Sequence, residues 1–138
     1  MINFDEQLQH LVTEALNEDV GTGDHSTLSC IPSEKMGKAV LKVKQNGIVA
    51  GISVAKKIFQ FVEPTSVFTA FMQDGDSMVF GDKAFEVQAS IHTILKCERL
   101  VLNCMQRMSG IATLTQQYTK KLVGYNTKLL DTRKTTPN

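Results

Sequence analysis

Residues 91–108 read Ile91-His92-Thr93-Ile94-Leu95-Lys96-Cys97-Glu98-Arg99-Leu100-Val101-Leu102-Asn103-Cys104-Met105-Gln106-Arg107-Met108. On a helical projection the apolar side chains spread over roughly 220°, against the roughly 100° stripe usual for a surface helix. The pattern predicts a helix buried on most sides, as at a domain or subunit junction. Its narrow polar strip carries His92, Lys96, Arg99, Asn103, Gln106 and Arg107. Cys97 and Cys104 fall on the apolar face and read as core residues.

Downstream of this helix, Ser109 reads as a fresh N-cap and Gly124 as a C-cap, with a further helix between them. Residues 127–131 read as a short buried strand. After it comes a polar, cationic run, Thr132-Arg133-Lys134-Thr135-Thr136-Pro137. A strand that meets no later partner in the sequence predicts a second domain barely begun.

Upstream, the pattern is β-rich with one inserted helix. Ala39, Leu41 and Val43 alternate with polar or outward positions, and Asn46-Gly47 signals a tight turn before Ile48-Val49-Ala50. Ile52, Ala55, Ile58, Phe59 and Val62 predict a helix ended by Pro64. Strands are expected over 67–71 and 85–89, with turns at Asp74-Gly75 and Gly81-Asp82 bracketing a short one. The chain opens on a helix with the apolar stripe Phe4, Leu8, Leu11, Val12, Ala15 and Leu16. Asn3 and Glu6 fit a capping-box-like start, and Gly21 fits a stop. The stretch Gly21-Thr22-Gly23-Asp24-His25-Ser26-Thr27 is loop-forming by composition, and a structural turn is the stronger reading of it than a ligand contact.

The 138 residues suffice for one domain with a hydrophobic core, and 42% hydrophobic with 21% charged content is ordinary for a globular chain. A formal net charge of +1 gives no global field toward nucleic acid or a membrane surface, so any anion site is built locally. Cys30, Cys97 and Cys104 leave one over and read as reduced thiols of a cytoplasmic protein. The acidic amphipathic start does not read as a secretory signal, and no apolar run approaches the roughly 18 residues of a membrane span. His10, His25 and His92 are too scattered for a zinc cluster.

The cations are unequally distributed in type: twelve lysines but only three arginines, Arg99, Arg107 and Arg133. Arginine's planar fork suits carboxylate and phosphate, whereas lysine is the general solubilising cation. Arg99 and Arg107 lie on the polar strip of a largely apolar helix, either as ligand contacts or paired with acids such as Glu98. Arg133 and Lys134 follow a strand within a hydroxyl-rich loop. That is a plausible anion cradle, because ligands of α/β sheets and barrels bind at the carboxyl ends of strands.

Asp131-Thr132-Arg133-Lys134-Thr135-Thr136-Pro137 resembles the active-site signature of the quinolinate phosphoribosyltransferases, also called nicotinate-nucleotide pyrophosphorylases. Glu98-Arg99-Leu100-Val101-Leu102-Asn103, running on to Met108-Ser109-Gly110-Ile111-Ala112-Thr113, is a second match. Glu18-Asp19-Val20-Gly21-Thr22-Gly23-Asp24 is a third. Their order and spacing agree with the family over essentially the whole chain.

The resemblance implies an α+β fold: an α/β-hammerhead domain over 1–108, then the first elements of an incomplete α/β barrel over 109–138. It implies an enzyme of NAD biosynthesis that joins quinolinate to 5-phosphoribosyl 1-diphosphate with Mg2+, giving nicotinate mononucleotide, diphosphate and CO2. By similarity, Thr132, Arg133 and Lys134 contact substrate from their own barrel, and Arg99 reaches the active site of the neighbouring subunit of a homodimer. Family members continue with strands that carry other substrate and magnesium residues. The chain is therefore expected to be the front portion of a longer enzyme and inactive alone. Two rivals stand beside this. Proteins associated with molybdenum transport resemble the same family, although the Arg133-Lys134-Thr135-Thr136-Pro137 run favours the transferase. Gly81-Asp82-Lys83-Ala84 resembles the lysine turn of a lipoyl carrier, a non-enzyme in which the helices after Ile91 would have no place.

Overall fold

A computed structural model of the chain describes residues 3–132 and 134. Helix α1, Phe4–Val20, begins where the Asn3 side chain accepts the Asp5 N–H at 3.3 Å and ends at Gly21. Its stripe of Leu8, Val12 and Leu16 is buried, while Phe4 and Leu11 stay exposed. The stretch expected as a loop contains a short helix instead, α2, His25–Cys30. Asp24 nucleates it by accepting the Thr27 N–H at 3.1 Å, a local cap that composition alone conceals.

Two small antiparallel sheets follow. Strands β1 (Met36–Lys42), β3 (Val67–Ala70) and β5 (Lys83–Ser90) form one, in the order β1-β5-β3. Strands β2 (Gly47–Ile48) and β4 (Ser77–Met78) form the other. The chain bends at Asn46-Gly47 as expected, but the bend does not close a hairpin. It carries the chain into the second sheet, and the Asn46 side chain accepts the Phe80 N–H at 2.8 Å. The turns at Gly75 and Gly81 take φ of 99° and 95°, which a side chain would disfavour.

Alternation along β5 buries Phe85, Val87 and Ala89, and β1 sets Leu41, Ala39 and Gly37 opposite them in register. Helix α3, Ile52–Val62, lays Ala55, Ile58 and Phe59 on this face. Phe59, Phe68 and Phe85 meet there, the last two stacked at 4.5 Å between centroids. Burying side chains such as Ile58 and Val87 contributes about 1.5–3 kcal/mol each.

Helix α4, Ile91–Lys121, closes the core. Ser90 caps it by accepting the Thr93 N–H at 3.1 Å, and the Glu63 carboxylate at the end of α3 accepts the Ser90 N–H at 3.0 Å. Thr93, Cys97, Val101, Met105 and Ser109 are buried at every fourth position. The chain itself thus covers one stripe of α4 and leaves Leu95, Leu102 and Met108 exposed, narrower cover than the apolar arc predicts.

Two expectations fail here. The helix does not restart at Ser109 but runs straight through it, because the Ser109 hydroxyl is engaged by the backbone of Ala50 and caps nothing. Residues 127–131 form no strand, and Leu130 is 84% exposed. A strand's N–H and C=O groups need a neighbour, and among the described residues none lies alongside.

Candidate functional site

Arg99 sits on α4 between the buried Cys97 and Val101, turned to the opposite side of the helix, with its side chain 78% exposed. Its partner is Asp19, in the last turn of α1, which Nη1 contacts directly. Glu98, the acid expected from sequence proximity, does not serve. Successive helical residues project about 100° apart and do not face one another. The signal that could have found Asp19 lies in α1 itself: Glu18 and Asp19 end a helix whose last turn has no cation, where the helix dipole disfavours negative charge.

The two amino-terminal motifs are thereby neighbours in space. Residues 18–24 lie beside α4, tied to it by the Arg99–Asp19 pair and, past α2, by His92 Nε2 at 2.8 Å from the Ile31 carbonyl oxygen. Within this corner Asp24 caps α2. Hydrogen bonds from the Thr27 hydroxyl and then the Thr27 N–H hold its carboxyl below the ordinary range.

Thr132 and Lys134 are exposed, and the Thr132 hydroxyl oxygen accepts the Lys134 N–H at 3.2 Å. No hydrogen bond or ion pair among the described residues joins either to Arg99. Arg133 lies outside the described residues, as do positions 135–137 of the same motif. Lys83, the residue of the carrier-like tetrapeptide, is not at a turn tip. It opens β5 with Lys42 as its partner across the strands. No cluster of three or more His, Cys, Asp or Glu is placed to hold a metal among the described residues, and no helix there is long and apolar enough to cross a membrane.

A separate groove of about 590 Å³ runs between residues 41–46 and α4, over Leu41, Val49, Met105 and Leu114. Among the described residues, Arg99, Thr132 and Lys134 do not line it. Beside it, the end of the second motif finds a structural use: Ser109 and Thr113 bind the backbone of Ala50 and Ile48.

The family model for the quinolinate phosphoribosyl transferase N-terminal domain matches residues 24–109. A protein of Nicotiana tabacum named quinolinate phosphoribosyltransferase [decarboxylating] 1b is 41% identical over 131 residues, covering 94% of this chain and 37% of that protein. Among solved structures, NadC from Streptococcus pyogenes superposes with a TM-score of 0.92 at 34% identity, over 100% of this chain and 49% of that one. The nicotinate-nucleotide pyrophosphorylase of Francisella tularensis gives 0.88 at 30% identity, over 99% and 49%. The chain therefore spans about half or less of the length of each of these relatives.

Proposed function

Because this chain belongs to the quinolinate phosphoribosyltransferase family, we propose that it is the substrate-gripping front portion of an enzyme that converts quinolinate and 5-phosphoribosyl 1-diphosphate to nicotinate mononucleotide, diphosphate and CO2. The observation that carries this reading is the likeness over 94% of the chain to a relative named for that reaction. The proposed division is a hammerhead domain over 1–108 and the start of a barrel over 109–138, in a homodimer located in the cytoplasm.

Quinolinate carries two carboxylates and its co-substrate several phosphate charges, so the site requires fixed cations. Arg99 offers a planar fork matched to a carboxylate, exposed enough to serve a neighbouring subunit. Thr132, Arg133 and Lys134 supply a hydroxyl and two further cations from the subunit's own barrel. Cations fixed before substrate arrives can stabilise the charge that develops as CO2 leaves. Magnesium would neutralise the diphosphate leaving group. By resemblance to the family, its ligands are assigned to the remainder of the enzyme, with substrate phosphates completing its shell.

The test is CO2 release from carboxyl-labelled quinolinate by the longer enzyme. Release should depend on the sugar donor and be absent with the 138-residue chain alone. A longer enzyme that releases none would refute the reading. Turnover by the 138-residue chain alone would refute the division of labour.

A further inference from the structure

Asp19 stands where α1 by itself disfavours a carboxylate. The last turn holds Glu18 and Asp19 and no cation, so its free carbonyls leave negative charge unopposed. The compensation comes from eighty residues away, through Nη1 of Arg99. The two partners are unequally placed: the Asp19 side chain is 25% exposed and that of Arg99 78%. Asp19 also rides on a fixed element, since Leu8, Val12 and Leu16 bury one face of α1 in the core. An ion pair with so exposed a partner adds little to stability, and α1 is already anchored by its apolar stripe. Holding the fold together is therefore a poor account of the pair.

Holding Arg99 is a better one. A free arginine side chain samples many rotamers, and ordering it on ligand binding opposes affinity. A carboxylate that grips one nitrogen restrains the guanidinium in advance, and the group has five N–H donors in all. We propose that Asp19 is a positioning residue, which orients Arg99 so that its fork is presented to the pyridine dicarboxylate. The proposal rests on the reading of Arg99 as a quinolinate-binding residue.

The experiment uses the longer enzyme with Asp19→Asn, Asp19→Glu, Arg99→Ala and the double variant Asp19→Asn/Arg99→Ala. Asp19→Asn should raise KM for quinolinate about threefold to tenfold, the scale set by ordering one long side chain on binding. KM for the sugar donor and the melting temperature should hold. Asp19→Glu should recover part of the loss, and Asp19→Asn should add nothing once Arg99 is alanine. An unchanged or lowered quinolinate KM in Asp19→Asn, with Arg99→Ala still impaired, overturns the proposal and spares the reading beneath it. Loss of fold in Asp19→Asn assigns the pair a structural role and overturns it too. If Arg99→Ala itself leaves quinolinate KM unchanged, the parent reading of Arg99 fails and the proposal falls with it.

Discussion

Ser109 and Ala50 exchange two hydrogen bonds: the serine hydroxyl accepts the Ala50 N–H at 3.0 Å and donates to the Ala50 carbonyl at 3.2 Å. One turn on, the Thr113 hydroxyl accepts the Ile48 N–H at 2.9 Å. A helix here takes the place of a strand beside the edge of β2. The approach is so close that a Cβ on Gly47 would lie 2.5 Å from the Thr113 hydroxyl oxygen.

Ser109→Ala should therefore leave both polar groups of Ala50 without their partner and cost about 1–3 kcal/mol of stability. Gly47→Ala should cost a comparable amount, about 1–3 kcal/mol, through overpacking. In a Thr113→Ala background the Gly47→Ala penalty should shrink, because the clash partner is gone. Urea midpoints for the four variants would check this, and additive penalties at positions 47 and 113 would contradict it.

The same contact explains where sequence reading stopped. Helices α1 and α3 were legible because their signals are local: a stripe at Leu8, Val12 and Leu16, a cap at Asn3, a proline just past Val62. The tight turns at Gly75 and Gly81 were legible for the same reason. Ser109 misled because a serine at that point looks like an N-cap unless its partner, fifty-nine residues earlier, is known. Arg99 was recognisable as a candidate, but its pairing with Asp19 is a product of packing. Thr127-Lys128-Leu129-Leu130-Asp131 reads as a strand around its leucine pair, yet a strand exists only beside another.

Helix α3 begins at Gly51, which has no side chain to cap it, and Asp74 does so from another turn. Its carboxylate accepts from the Gly51 and Ile52 N–H groups, both at 2.7 Å, and from the Ser53 hydroxyl at 2.7 Å. Burial pushes the carboxyl up, but the Ser53 hydroxyl and the backbone N–H bonds outweigh it and hold it below its ordinary value of 3.8. The folded value is thus depressed, so this stabilisation is fully present above the unfolded pKa and is lost as pH falls through the folded one. Asp74→Ala should cost about 1–2 kcal/mol at pH 7. The gap between wild type and variant, measured by urea unfolding, should narrow below pH 4. A gap that stays constant down to pH 2 would count against the assignment.

The three thiols should separate by reactivity. Cys30 is exposed, Cys104 half-buried and Cys97 fully buried. Burial pushes the Cys97 thiol up to about 12 and raises that of Cys104 as well. The thiolate is the nucleophile, so at pH 8 Cys97 stays almost wholly in its unreactive thiol form. Brief treatment with N-ethylmaleimide should label Cys30 first and Cys97 only after unfolding. Peptide mass spectrometry reads the order, and early labelling of Cys97 would show that the core around α4 opens.

The proposed sharing of active sites makes a prediction about mixed subunits of the longer enzyme. If Arg99 serves its neighbour while Arg133 serves its own barrel, Arg99→Ala and Arg133→Ala homodimers are each defective at both sites. A mixed dimer differs, because one of its sites carries both defects and the other carries neither. Full statistical exchange makes half of the dimers mixed, each with one intact site, so activity should return to about a quarter of wild type. The exposed side chain of Arg99 is consistent with such reach, since among the described residues its own chain engages it only through Asp19. Exchange is verified by differential tagging, and CO2 release is then measured against the unmixed parents. Activity that stays at the parental level despite proven exchange would mean that Arg99 and Arg133 act on the same subunit's site.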